Sequence, residues 1–133
     1  MFVELDLQSE VPIYTQLVEQ IIEGIARGQL KPGDPLPSVR SLAADLGINL
    51  HTVNKAYQIM KQEGFLQIHR KQGVVVQSGG MPGVTAEFEA KLERQLKALA
   101  AEGVVRGMQE ETFVRSCLDV FRQLQGNSGK EDS

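Results

Sequence analysis

Asn49, His51, Thr52, Asn54 and Lys55 crowd the first turns of one amphipathic segment, offering short hydrogen-bond donors and acceptors and a single cation. Side chains of these types read base edges: an asparagine amide pairs with adenine, and an ammonium finds guanine or a phosphate. Two more polar sets lie nearby, Ser38 with Arg40, and the run Arg70-Lys71-Gln72-Gly73. None of these has the make-up of a catalytic centre. The chain holds no nucleophile elbow, no phosphate-cradling glycine loop between strand and helix, and no His-Glu-x-x-His. Neither His51 nor His69 has ligand-spaced neighbours. Enzymatic activity, a metal and a cofactor are therefore not expected.

The elements that must position those residues are legible around them. Ser38 follows Pro37 and precedes an apolar run, which suits an N-cap. Val39, Leu42, Ala43 and Leu46 recur at helical spacing. Gly47 ends that helix, Ile48 plugs the core and Asn49 caps a second helix over 49–63, with Val53, Ala56, Tyr57 and Met60 facing inward. Leu50 is a further candidate for that face. Two short helices joined at a glycine, the second with a polar outer start, form a helix-turn-helix. Phe65 to His69 then reads as a strand, 70–73 as a basic turn and Val74-Val75-Val76 as the returning strand. A hairpin with a basic tip after a recognition helix makes a winged helix, whose tip would lie on a phosphate backbone or in a minor groove.

Upstream, Phe2 to Leu7 alternates as a short extended arm. Residues 11–27 form a helix with Pro12 in its first turn and Ile13, Leu17 and Ile21 on its buried stripe, joined by Val18 and Ile25. Residues 28–37 form a rigid connector with three prolines. Downstream, residues 79–84 read as a linker. Thr85 caps a helix to about Arg106, Gly107 is its C-cap, and a second helix covers 109–125. Residues 126–133 are expected to be disordered. The expected architecture is mainly α (α+β): a winged helix-turn-helix domain over 1–78, then a two-helix appendage over 85–125.

The appendage carries apolar stripes, Phe88, Leu92, Leu96 and Leu99 on one helix and Phe113, Leu118 and Phe121 on the other. An isolated helical pair has little interior in which to bury them. A second copy of the chain is the economical partner, and two recognition helices related by a two-fold suit a palindromic operator in double-stranded DNA. Cys117 lies among Val114, Leu118 and Phe121 and is expected to be a small buried side chain.

The chain of 133 residues has a formal net charge of −3, which counts against a nucleic-acid partner if taken in bulk. Distribution matters more. From Ser38 to Ser78 the cations are Arg40, Lys55, Lys61, Arg70 and Lys71, and the acids only Asp45 and Glu63. One positive face suffices for phosphate attraction. The first ten residues have no basic leader, no apolar run approaches the ~18 residues of a membrane span, and a single cysteine suits a reducing compartment. A cytoplasmic protein without membrane contact is expected.

These residues carry a family resemblance. The run from Pro12 to Leu17, then Gly28-Gln-Leu-Lys-Pro-Gly-Asp-Pro-Leu-Pro-Ser-Val-Arg-Ser-Leu-Ala43, then Leu46-Gly-Ile-Asn49, Thr52-Val-Asn-Lys-Ala-Tyr57, Glu63-Gly-Phe-Leu66 and Gln72-Gly73 resembles the GntR family of bacterial transcription regulators. The short two-helix tail resembles its YtrA-like subfamily. The resemblance implies a homodimeric DNA-binding repressor, with transporter genes as targets. It places Arg40, Asn49, His51, Thr52, Asn54, Lys55 and the wing residues Gln72 and Gly73 at DNA. Other subfamilies often carry arginines where this chain has Leu50 and Asn54, so their guanine contacts do not transfer and the operator should differ. The tail is too short for the effector domains of those subfamilies. A small-molecule effector, if one exists, would bind at the dimer interface. The rival reading is a winged helix that binds protein and never touches DNA. It would need an apolar recognition face, and this face is polar.

Overall fold

A computed structural model of the chain describes residues 3–126. The expectations for Phe2 and for residues 127–133 lie outside the described residues. The element order is α1 (Ile13–Ala26), α2 (Val39–Leu46), α3 (Leu50–Glu63), β1 (Leu66–His69), β2 (Gly73–Val76), α4 (Ala86–Val105) and α5 (Glu110–Leu124). The chain forms two compact units, Met1–Pro82 and Gly83–Ser133, and the break falls inside the stretch read as a linker. Among the described residues no helix is long and apolar enough to cross a membrane.

In the first unit the core is the set of inward residues that the helical spacing selects. Leu17 and Ile21 of α1, Leu42 and Ala43 of α2, and Val53, Ala56, Tyr57 and Met60 of α3 are buried together with Leu30, Leu36, Leu66 and Val76. Val39, Leu46, Ile48 and Leu50 pack around them half-buried. Helix α1 is shorter than expected at both ends. Pro12 is its N-cap with ψ 146°, not a first-turn residue, and Arg27 is its C-cap. The residue before a proline is steered out of the helical region, so Val11 cannot begin the helix.

The buried stripe of α1 also includes Gln16, which the apolar pattern does not reveal. Its Oε1 accepts from the Asp6 N–H at 2.8 Å, and its Nε2 donates to the carbonyls of Asp6 at 3.0 Å and Val11 at 2.9 Å. One turn on, Gln20 Oε1 accepts from the Glu4 N–H at 2.8 Å and its Nε2 donates to the Glu4 carbonyl. The arm thus docks on α1 through two side-chain amides that mimic a neighbouring strand. Each satisfies main-chain groups that would otherwise need water.

The two strands are antiparallel, in the register Leu66↔Val76, Gln67↔Val75, Ile68↔Val74 and His69↔Gly73. The connector supplies a short third rung on β2. Pro35 bridges to Val75, the Leu36 N–H donates to the Val74 carbonyl, and the Val76 N–H donates to the Asp34 carbonyl, both at 2.9 Å. Pro35 occupies the position in that rung that donates nothing to β2, where the missing N–H costs least. The stretch read only as a rigid spacer therefore also anchors the wing to the core.

In the second unit α4 is capped by Thr85, whose Oγ1 accepts from the Phe88 N–H at 3.0 Å. Its C-cap is Arg106, not Gly107. The glycine follows one residue later with φ 81°, the left-handed position that suits it. Neither α4 nor α5 buries a single residue. Cys117, expected to be buried, is exposed. Helical spacing marks the face on which it lies but does not supply the surface that would cover it.

Candidate nucleic-acid interface

Helix α2 begins at Ser38, whose Oγ accepts from the Ser41 N–H at 3.0 Å. Its last turn closes on Gly47 at φ 68°, a left-handed conformation that glycine adopts at least cost. Asn49 then caps α3, its Oδ1 accepting from the His51 N–H at 2.8 Å. Ser38 and Asn49 therefore both spend a side-chain acceptor on helix starts. Arg40 is exposed in the first turn of α2.

On α3, His51, Asn54 and Lys55 are exposed and Thr52 is half-buried. Positions 51, 54 and 55 share one face of the helix, opposite the buried Val53, Ala56, Tyr57 and Met60. Gln58 continues that exposed face at the next turn. Its spacing of three from Lys55 and four from Asn54 is the sequence signal that places it there.

Two contacts fix how α3 presents this face. The Tyr57 hydroxyl donates to the Pro37 carbonyl at 2.8 Å. It thereby links α3 to the residue that precedes the α2 cap, and so to the segment that carries Arg40. Burial pushes the Tyr57 phenol well above the ordinary tyrosine range. The Lys55 ammonium lies 3.9 Å from the centroid of the Tyr14 ring on α1. A cation over an aromatic face is held by the ring quadrupole. Lys55 is thus aligned against α1 before any ligand arrives, a contact that needs the tertiary structure to be seen.

The wing tip carries Arg70, Lys71, Gln72 and Gly73, all exposed. Gly73 opens β2 at φ 78°, which lets the tip close in three residues. His69, which the sequence places at the end of the strand, is part of the turn: its Nδ1 accepts from the N–H groups of Lys71 at 3.2 Å and Gln72 at 3.3 Å. Arg40, the exposed α3 residues and the wing tip all belong to the first unit, and all are set on a well-packed core. The assembly offers exposed donors and cations on rigid elements, suited to a polyanion with readable base edges. Among the described residues no cluster of His, Cys, Asp or Glu could hold a metal ion.

The sequence matches a model described as bacterial regulatory proteins, gntR family, over residues 13–76. That span runs from the start of α1 to the end of β2. The HTH-type transcriptional repressor YtrA of Bacillus subtilis (strain 168) is 33% identical over 124 residues, 93% of this chain and 95% of that protein. Among solved structures, YtrA from Sulfolobus acidocaldarius, a GntR-family transcription factor, is 38% identical with a TM-score of 0.54, over 91% of this chain and 97% of that one. A transcriptional antiterminator from Listeria monocytogenes EGD-e has a TM-score of 0.85 over 95% of this chain and 94% of that one. At 24% identity it shows likeness of fold.

Proposed function

The chain belongs to the GntR family of bacterial regulatory proteins, in its YtrA-like branch, and as such is a DNA-binding transcription regulator and not an enzyme; from that premise we propose that it is a homodimeric repressor of an inverted-repeat operator. The observation that carries this reading is the polar, exposed face of α3 over a fully buried opposite face, with Arg40 exposed at the start of α2. His51, Thr52, Asn54 and Lys55 address base edges in the major groove, with Asn49 and Ser38 at the helix starts. Arg40 and the wing residues Arg70, Lys71, Gln72 and Gly73 hold the phosphate backbone.

Dimerisation is assigned to the second unit. Phe88, Leu92, Leu96, Leu99, Leu118 and Phe121 are all exposed there, and Phe113 is half-buried. Between α4 and α5 lies an apolar groove of about 570 Å³, lined by Leu96, Leu99, Phe113, Cys117 and Phe121 among others. Contiguous apolar surface of this kind marks an interface. A second copy covers it and sets two α3 helices about a two-fold. A small-molecule effector, if one acts, binds at this same interface. The branch implies transporter genes as targets, and deleting the regulator should raise their transcripts.

The decisive experiment is fluorescence anisotropy with the duplex from upstream of the protein's own gene and a scrambled duplex, at several salt concentrations. Tighter binding to the native duplex, with log affinity falling linearly in log salt, is expected. Equal weak binding to both would remove that duplex as the operator, and an absence of binding to either would return the winged helix to the protein-interaction reading.

A further inference from the structure

His69 sits at the last rung of the hairpin, paired with Gly73, immediately before the exposed tip 70–72. Three long polar side chains leave that tip in sequence. Such a loop samples many conformers, and ordering it on a ligand costs backbone and side-chain entropy. The Lys71 and Gln72 N–H groups both turn back to His69 Nδ1 instead of facing solvent. The nitrogen that accepts from these two N–H donors is the one that carries no proton, so in this turn the ring N–H is Nε2. No partner of Nε2 occurs among the described residues, so nothing competes with this tautomer.

We propose that His69 is a positioning residue of the DNA interface: its Nδ1 locks the wing turn in the conformation that presents Arg70, Lys71 and Gln72 to the phosphate backbone. The inference rests on the DNA-binding reading above and adds a residue to it. It acts through the turn and does not require the ring to touch DNA. A pre-ordered tip gives up less freedom on binding, which appears as affinity without any new contact.

Two isosteric replacements separate this role from others. In His69→Asn, Oδ1 takes the place of Nδ1 and keeps the two acceptances, while the Nε2–H is lost. In His69→Gln the amide nitrogen takes the place of Nε2, and the Nδ1 acceptor is lost. The full-length wild type, these two variants and His69→Ala are compared by amide exchange in the free protein and by anisotropy on the upstream and scrambled duplexes. The expected result is slow exchange at Lys71 and Gln72 in wild type and His69→Asn, and fast exchange in the other two. Affinity should follow, within about twofold of wild type for His69→Asn and about three- to tenfold weaker for His69→Gln and His69→Ala. The salt slope should be equal in all four, because no cation is lost. Nitrogen chemical shifts of the ring should show Nδ1 bare and Nε2 protonated.

Unchanged exchange at Lys71 and Gln72 in His69→Ala overturns the lock. His69→Asn binding as weakly as His69→Ala overturns the positioning role in favour of direct contact by the ring. Failure of wild type to bind either duplex overturns the DNA reading and this role with it, and slow wild-type exchange at Lys71 and Gln72 then shows that the lock itself was not what failed.

Discussion

Lys55 and Tyr57 lie two positions apart on α3 and serve opposite sides of it. Lys55 is exposed yet aligned on the Tyr14 ring. Lys55→Ala should weaken DNA binding and narrow the difference between the native and scrambled duplexes. Arg40→Ala should weaken binding to both and reduce the salt slope by about one phosphate's worth, and unchanged affinity in both variants would remove this face from the interface. Tyr14→Leu should weaken binding less, by about two- to fivefold, with the slope unchanged, because the cation remains and only its alignment goes. Tyr14→Phe keeps the ring and should bind like wild type. Tyr57 is the inward partner. Its phenol is raised by burial, so the folded state holds a proton that the unfolded chain gives up. For an acid raised in this way, the stabilising contribution is fully present below the ordinary tyrosine value of about 10 and is lost as pH climbs past it. Tyr57→Phe should cost about 1 kcal/mol at neutral pH, by orphaning the Pro37 carbonyl, and should flatten the alkaline fall. Urea midpoints across that pH range measure both effects, and an alkaline fall of the same depth in the variant would assign it elsewhere.

Among the elements, what the sequence reveals depends on whether the relevant interaction is local. Ser38, Asn49 and Thr85 are readable as caps because each satisfies N–H groups two or three residues away. The inward faces of α2 and α3 are readable because their spacing is helical. The docking of the arm is not readable, since a glutamine on a helix gives no sign of partners ten and sixteen residues distant. The connector's rung is obscured by its own prolines, which argue against a strand although Pro35 sits where no donor is needed. Gln16→Leu tests the arm: losing three hydrogen bonds at a partly buried site should cost about 1–3 kcal/mol. It should also speed amide exchange at Asp6, and wild-type exchange there would mean that the arm is held by something other than this amide.

Across the whole molecule, a net charge of −3 conceals a basic stretch, and an acidic chain still presents Arg40, Lys55, Arg70 and Lys71 on one unit. The tail shows the other limit of sequence reading. Its periodicity marks two apolar faces and predicts a buried Cys117, yet no surface within α4 or α5 covers it. Such a face is completed by whatever packs on it, and a single sequence does not name that. If a second copy does so, Leu96→Glu and Phe113→Glu should each yield monomers by light scattering and weaken operator binding. Dimers persisting in both variants would move the interface off these helices.

The clasp of the arm has a consequence for how this gene can change over generations. Gln20 grips the N–H and carbonyl of Glu4, and Gln16 those of Asp6, and every amino acid brings such a carbonyl. The side chain at position 4 is therefore free to drift, and that at position 6 is restrained only by its local turn with Gln8. Proline alone is barred from both, for want of the N–H. The burden of inheritance falls instead on the two glutamines and on Val3, which packs against the core, so the arm can keep its place on α1 while the lettering at its exposed positions drifts.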